Sequence, residues 1–195
     1  MLSNNGPSIA VLGFDASMDD EPGSTNTSPS PEFEQTRHKP GDALTRQREL
    51  IVACVPMRSN VNVSQIARTA GACAIDRMIL CGNTRLIDKI ARDGADTLTI
   101  ESRRSLAPVL KKLSADGYRL VGLEQTTNSH NLHEYRFERR TVLVVGNERL
   151  GIEPEILALL DDVVEIPVWG MPHSYNVATA TNMAMYEFCR QYPAG

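Results

Sequence analysis

The chain has 195 residues, of which 42% are hydrophobic, and its formal net charge at pH 7 is −4. This length fits one domain of ordinary size, and the hydrophobic content suffices for a substantial core. The sequence lacks a run of about 18 apolar residues, so we predict no membrane-spanning segment. The N-terminus lacks the basic start of a secretory signal, and we therefore expect a cytoplasmic protein.

Charge is unevenly distributed along the chain. Residues 1–35 contain six acidic side chains and no Lys or Arg, which leaves 20 basic and 18 acidic side chains in residues 36–195. The N-terminal segment is also rich in Ser, Pro, Asn and Gly, a composition that cannot bury enough apolar surface to fold. We predict a disordered acidic tail at residues 1–45 and a folded domain at residues 46–195. The near-neutral domain is compatible with a local basic surface for nucleic acid.

The four cysteines are far apart, and none has metal-ligand spacing relative to another: Cys54, Cys73, Cys81 and Cys189. Three of them fall in apolar stretches, which favours buried, reduced thiols over disulfides. His130 and His133 have no cysteine near them and no acidic partner at the spacing of a known metal site. We therefore predict no metal site.

From Leu50 onward, short apolar runs alternate with helical patterns. Strands are predicted at Leu50–Val55, Arg77–Cys81, Thr97–Ile100, Tyr118–Leu123, Val142–Val145 and Val163–Ile166. The first predicted helix begins with Asn62 as its N-cap. Three further helices are predicted at Leu86–Asp93, Ser105–Ala115 and Glu155–Leu160. The last predicted helix has an apolar stripe formed by Val177, Ala180, Ala184 and Phe188. This alternation predicts an α/β fold with a mostly parallel, six-stranded sheet flanked by helices.

Polar clusters follow several of the predicted strands, namely Arg58–Arg68, Glu124–Asn131, Gly146–Gly151 and Gly170–Asn176. Parallel α/β sheets bind ligands beyond the carboxyl ends of their strands. We therefore expect these clusters to converge on one side of the sheet.

Each cluster has a functional and a structural interpretation. An arginine on the first turns of a helix, such as Arg68, can grip a phosphate, or it can be an ordinary solvated side chain. The glycines at Gly146 and Gly151 let a ligand approach the backbone, or they form a structural turn, and the phosphate-loop pattern is absent. Backbone groups of Pro167–Asn176 can read an adenine edge, while Ser174 or Asn176 caps the last helix. These last two roles are compatible.

Together the clusters resemble the three motifs of the SPOUT superfamily, specifically the SpoU/TrmH family of RNA 2′-O-ribose methyltransferases. The similarity runs from about Leu50 to Gln191 and includes three segments, NVSQIARTAGACAI, LVVGNERLGI and IPVWGMPHSYNVATATNMAMYEF. The stretch LVGLEQTTNS that precedes the second segment is also similar to the catalytic domain of eukaryotic enzymes that methylate a D-loop guanosine of tRNA.

The resemblance implies a C-terminal trefoil knot, bound S-adenosylmethionine, a homodimer with active sites at the subunit interface, and tRNA or rRNA as substrate. By motif position, the catalytic residues that it implies are Asn62, Arg68, Glu148, Ser174 and Asn176. The cofactor contacts that it implies are Leu123, Glu124, Gly146, Asn147, Ile166, Met171, Ser174 and Val177.

The residue types suit methyl transfer, which mainly requires that donor and acceptor be aligned. Because arginine stays protonated, we expect Arg68 to grip the target phosphate and stabilise the developing alkoxide, with Asn62 and Asn176 orienting it. Tyr175 departs from the family pattern, where leucine is commoner. RNA specificity would come from basic residues of the domain, for which a solvated face is the alternative: Arg58, Arg77, Arg85, Arg103, Arg104, Lys111 and Lys112. A non-catalytic RNA-binding protein of the same fold remains the alternative function.

Overall fold

A seven-stranded sheet, in which all paired strands are parallel, forms the centre of the domain. The computed structural model describes residues 33, 35, 36 and 39–195, and the folded unit spans Asp42–Gly195. The sheet order is β3-β2-β1-β6-β4-β7-β5. The strands are β1 (Arg48–Cys54), β2 (Ile75–Cys81), β3 (Thr99–Arg103), β4 (Arg119–Leu123), β5 (His130–Asn131), β6 (Thr141–Val145) and β7 (Asp162–Glu165).

Helices cover both faces of the sheet. They are α1 (Asn60–Ala72), α2 (Asp88–Ala91, followed by a 3₁₀ turn at Arg92–Ala95), α3 (Ala107–Ala115), α4 (Pro154–Leu157) and α5 (Val177–Gln191). Alternate residues of a strand point to opposite faces. Val52 of β1 accordingly belongs to the core under α1 and α5, with Ile66 and Phe188, while Ile51 belongs to the core under α3 and α4.

The α/β class and the parallel sheet are confirmed, but the predicted strand count was wrong by one. The seventh strand, β5, has only two polar residues, His130 and Asn131, and therefore carries no apolar run that a sequence pattern can detect. The helices predicted at Leu86–Asp93 and Glu155–Leu160 are each a single turn in the structure, Asp88–Ala91 and Pro154–Leu157. The predicted tail, residues 1–45, lies largely outside the described residues, so its disorder and its boundary stay predictions.

The predicted start of α1 was also wrong. Ser59, not Asn62, is the N-cap, and its hydroxyl accepts a hydrogen bond from the backbone N–H of Asn62 at 3.2 Å. The helix thus begins at Asn60, and Asn62 lies within its first turn. This shift leaves the Asn62 side chain available for contacts outside the helix.

All main strands end at one edge because the sheet is parallel, and we call this the carboxyl edge. The loops at this edge are residues 55–59 after β1, 82–87 after β2, 104–106 after β3, 124–129 after β4, 146–153 after β6 and 166–176 after β7. The loop residues of the predicted polar clusters therefore lie at one edge of the sheet, as predicted. Within residues 39–195, no helix combines the length and the apolar character that crossing a membrane requires.

Candidate active site at the carboxyl edge

A cavity of about 240 Å³ lies where the loops after β4, β6 and β7 meet. Seven of the eight predicted cofactor contacts line it: Leu123, Glu124, Gly146, Asn147, Ile166, Ser174 and Val177. The eighth, Met171, is not part of the lining, and its side chain is 79% exposed. The loop after β7 thus places Ser174 at the cavity, whereas Met171 in the same loop is exposed to solvent.

A tight hairpin after β6 forms one wall of this cavity. Asn147 and Gly151 exchange two backbone hydrogen bonds of 2.9 Å. A Cβ atom at Gly146 would lie 2.7 Å from the carbonyl carbon of Gly151, so a side chain does not fit there. Gly151 itself has a positive φ of 67°, which favours glycine. The glycines of this motif are therefore required by the close approach of the backbone.

Glu124, the first residue of the loop after β4, holds the hairpin in place. Its carboxylate accepts hydrogen bonds from the backbone N–H of Ile152 at 3.1 Å and of Gln125 at 3.0 Å. A Cβ at Gly151 would lie only 2.5 Å from this carboxylate. Glu124 therefore lines the cavity and also fixes the position of its glycine wall.

Glu148, at the turn of the hairpin, binds the start of α1. Its two carboxylate oxygens accept hydrogen bonds from the backbone N–H groups of Arg58 (3.0 Å) and Ser59 (2.9 Å). One of them also accepts a bond from Nδ2 of Asn62 at 3.1 Å. These contacts join the loop after β1 to the loop after β6.

The pKa of Glu148 lies below its ordinary value of 4.5. Partial burial acts to raise this pKa, but hydrogen bonds to the carboxylate outweigh it, chiefly those from the backbone N–H groups of Arg58, Glu148 itself and Ser59. Glu148 is therefore a carboxylate at neutral pH, and its structural contacts depend on that charge.

Asn62 extends the connection to α5. Its Oδ1 accepts a hydrogen bond of 3.2 Å from Nδ2 of Asn176. Asn176 is the N-cap of α5, and its own Oδ1 accepts a bond from the N–H of Ala178 at 2.9 Å. The capping role proposed for Asn176 is thus confirmed. We call Glu148, Asn62 and Asn176 the amide relay, since they link three loops in one line of hydrogen bonds.

The other two predicted catalytic residues lie outside the amide relay. Ser174 lines the cavity, and its hydroxyl makes no hydrogen bond within the described part of the chain. Arg68 is exposed on α1, six residues beyond Asn62, which turns it about 120° around the helix axis and about 9 Å along it. Its guanidinium likewise has no partner among the described residues. The structure therefore brings Asn62, Glu148 and Asn176 together but not Arg68.

Several residues of the cavity were not predicted. They are Gln125, Arg149, Gly151, Glu165, Val168, Tyr175 and Ala180. Gln125 donates from Nε2 to the carbonyl of His173 at 3.2 Å, which joins the loops after β4 and β7. The Tyr175 hydroxyl reaches the carbonyl of Pro167 at 3.4 Å. Most of these residues adjoin predicted ones, so loop continuity was the only available signal for them.

The sequence profile of a known protein family, described as the SpoU rRNA Methylase family, matches residues 49–186. The chain belongs to this family. The SpoU match covers every element from β1 to the third turn of α5, and with it both the cavity and the amide relay.

Among SpoU relatives, the tRNA (guanosine(18)-2′-O)-methyltransferase TARBP1 of Mus musculus is 31% identical over 170 residues, which are 84% of this chain but 11% of that protein. The tRNA (guanosine(18)-2′-O)-methyltransferase of Aquifex aeolicus is 31% identical over 150 residues, which are 75% of this chain and 71% of the relative. The chain therefore spans a small part of the first relative and most of the second.

Solved structures show the same fold. The crystal structure of the A. aeolicus TrmH/SpoU tRNA modifying enzyme has a TM-score of 0.72 at 30% identity, over 76% of this chain and 77% of that one. The SpoU methyltransferase AviRb from Streptomyces viridochromogenes, in complex with the cofactor AdoMet, has a TM-score of 0.67 at 24% identity, over 80% and 67% of the two chains.

Proposed function

We propose that the chain is an S-adenosylmethionine-dependent methyltransferase that modifies the ribose 2′-hydroxyl of tRNA or rRNA. The observation that carries this proposal is the amide relay, whose Glu148 also lines the glycine-walled cavity. Both lie in a chain that belongs to the SpoU family, whose relatives are named as 2′-O-methyltransferases of tRNA and rRNA.

The cavity fits S-adenosylmethionine by the chemistry of its lining. No backbone N–H between Val168 and Tyr175 donates a hydrogen bond to another described residue, so this loop has free donors for an adenine edge. At Gly146, the absence of a side chain lets the backbone pack against Gly151, and this close packing shapes one wall of the cavity. Leu123, Ile166 and Val177 provide apolar surface. Cofactor pockets commonly combine such apolar surface with a few polar groups.

S-adenosylmethionine, when bound, supplies a methyl group attached to a good leaving group. The remaining task of the protein is to place the ribose hydroxyl in line with that methyl group and to stabilise its developing negative charge. We assign the first role to Ser174, whose hydroxyl is free and lines the cavity. The second role belongs to Arg68, which stays protonated and binds the target phosphate. The amide relay positions the loops that carry these groups.

Arg68 requires a second copy of the chain in this account. Its exposed position on α1, turned away from the amide relay, suits a side chain that acts across an interface. Exposed apolar side chains also lie on α1, on the hairpin after β6 and on α5, the three elements that the relay joins, namely Val61, Leu150, Met183 and Tyr186. We propose a homodimer that completes the active site, and light scattering that finds only monomers would contradict it. The trefoil knot and the cytoplasmic location are part of the same proposal.

The experiment that tests the function is a transfer assay with methyl-labelled S-adenosylmethionine and unmodified tRNA and rRNA, followed by digestion to nucleosides. We expect the label on a 2′-O-methylnucleoside. Label on a base would contradict ribose as the acceptor. Absence of transfer together with absence of S-adenosylmethionine binding in a calorimetric titration would favour the alternative, an RNA-binding protein without catalytic activity.

A further inference from the structure

Positive charge is concentrated in one half of the carboxyl edge. The loops after β1, β2 and β3 (residues 55–59, 82–87 and 104–106) contain three arginines and no acidic residue. The loops after β4, β6 and β7 (residues 124–129, 146–153 and 166–176) contain three acids, Glu124, Glu148 and Glu153, and one arginine, Arg149. The two halves therefore suit ligands of different charge.

The three arginines of the basic half are Arg58, Arg85 and Arg104, which we call the arginine edge. All three are exposed, and none has a salt bridge or side-chain hydrogen bond with another described residue. The neighbouring Arg103 differs, because it pairs with Glu101. Arg77 pairs with the same carboxylate. The structure thus distinguishes two arginines that are paired with a carboxylate of the sheet from three arginines whose charge is available to bind an anion.

Two of the three loops of the arginine edge, those after β1 and β2, are held by hydrogen bonds. The backbone N–H of Arg85 donates to Oδ1 of Asn60 at 3.1 Å, and that of Ile87 donates to the buried hydroxyl of Ser64 at 2.8 Å. Both acceptors belong to α1. The backbone at Arg58 is held by the Glu148 carboxylate. Fixed loops present their charges at a defined spacing, so less ordering entropy is lost on binding.

A groove of about 490 Å³ runs from Arg58, one of the three residues of the arginine edge, to the wall of the cofactor cavity. It is lined by residues 55–58 on one side and by the hairpin after β6 on the other. Asn147, Arg149 and Gly151 line both the groove and the cavity. A chain that lies in the groove therefore reaches the cavity at this shared wall, where the charged lining residues are Arg58, Arg149 and Glu153.

We propose that the arginine edge binds the phosphates of the RNA that flank the methylated nucleotide, and that the groove leads this strand to the cofactor cavity. This inference rests on the proposed function and specifies the surface that it uses. Since β1, β2 and β3 are adjacent strands about 4.8 Å apart, the three loops span about 10 Å. Along the axis of a double helix each strand has one phosphate about every 3.4 Å, so a span of about 10 Å covers about three phosphates of one strand, one for each arginine.

Filter binding of bulk tRNA at several salt concentrations tests the proposal. The test variant is the triple change Arg58→Ala, Arg85→Ala and Arg104→Ala. The control removes the same charge from exposed positions away from the carboxyl edge, by Lys111→Ala, Lys112→Ala and Arg136→Ala. We expect the test variant to bind at least about tenfold more weakly, with a salt slope reduced by about 2, because each phosphate contact contributes about 0.7 to 0.9.

The control variant should keep the slope of the unaltered protein, and both variants should keep its affinity for S-adenosylmethionine. Methyl transfer by the test variant should show a raised KM for RNA with little change in kcat. Equal loss of RNA affinity in both variants, or no loss in either, would overturn the proposal that the arginine edge binds RNA, while leaving the proposed function intact. If the triple variant unfolds, the single changes Arg58→Gln, Arg85→Gln and Arg104→Gln decide the same question. If the unaltered protein binds RNA but does not methylate it, the proposed methyltransferase activity is refuted, while the proposal for the arginine edge is not.

Discussion

The two halves of the carboxyl edge are built by different means. In the half formed by the loops after β4, β6 and β7, backbone groups and glycines shape a cavity, and Gly146 and Gly151 approach too closely for side chains. In the half formed by the loops after β1, β2 and β3, exposed arginines define the surface. A small cofactor needs a cavity of defined shape, whereas an RNA strand needs spaced positive charge.

The amide relay lies between these halves and joins them. Glu148 belongs to the hairpin of the cavity, and its hydrogen bonds hold the loop that carries Arg58. Asn62 connects this pair to Asn176 at the start of α5. The comparison therefore separates three kinds of substitution: those that weaken cofactor binding, those that weaken RNA binding, and those that disturb the alignment of cofactor and RNA.

The largest effect is expected for Arg68→Ala, which should lower kcat by about 10² to 10³ because a cation that stabilises the developing alkoxide is lost. Affinity for S-adenosylmethionine, measured by calorimetry, should not change. The exposed Arg136→Ala serves as the control and should keep full activity. A loss of cofactor affinity as large as the loss of kcat would contradict this role and would indicate that Arg68 acts in cofactor binding.

Gly146→Ala should weaken S-adenosylmethionine binding by about tenfold or more, since the new Cβ would lie 2.7 Å from the Gly151 backbone and would displace the hairpin. Gly170→Ala is a matched control in the neighbouring loop, because its Cβ would meet no atom within 4 Å. Calorimetric titration compares the two. Equal affinities in both variants would show that the glycine wall does not shape the cofactor pocket.

Glu148→Gln should lower the midpoint of thermal unfolding by about 3 °C at pH 7, because one carboxylate oxygen becomes an amide donor that faces a backbone donor. The folded pKa of Glu148 lies below 4.5, so its stabilisation is present above pH 4.5 and is lost as the pH falls through the folded pKa. The difference from the unaltered protein should therefore shrink below pH 4.5. Glu134→Gln, an exposed control, should show no such pH dependence.

The smallest effect is expected for Tyr175→Phe. The hydroxyl makes one long hydrogen bond of 3.4 Å to the carbonyl of Pro167, while the ring lines the cavity. Affinity for S-adenosylmethionine should change by less than about twofold, since the ring is retained and the lost bond is weak. A large loss of affinity in calorimetry would instead show that the hydroxyl contributes to binding of the cofactor.

The sequence predicted the parts of the site that depend on local patterns. Buried strands such as Val142–Val145 are continuous apolar runs, and the polar clusters that follow them reveal the carboxyl edge. The start of α1 was misplaced because Ser59 and Asn62 are both suitable N-caps, and only the fold decides between them. Strand β5 was missed because its two residues pair with β7 without any pattern of their own.

The amide relay was not predictable from the sequence. Asn62 lies 86 residues from Glu148 and 114 from Asn176, and their hydrogen bonds exist only once the three loops meet. The resemblance to the SpoU/TrmH family identified these residues but did not indicate that they bind one another. The sequence likewise did not show which arginines pair with Glu101 and which remain exposed to solvent. This depends on the pairing of β2 with β3, which brings Arg77 beside Glu101.

The most direct test of the divided edge is hydrogen–deuterium exchange of the full chain, first with S-adenosylmethionine and then with RNA. We predict that S-adenosylmethionine slows exchange in residues 124–129, 146–151 and 166–176 and leaves residues 82–87 and 104–106 unchanged. RNA should protect residues 82–87 and 104–106, as well as 55–59. Protection of the same loops by both ligands, or of residues 82–87 and 104–106 by the cofactor alone, would contradict the division of the edge.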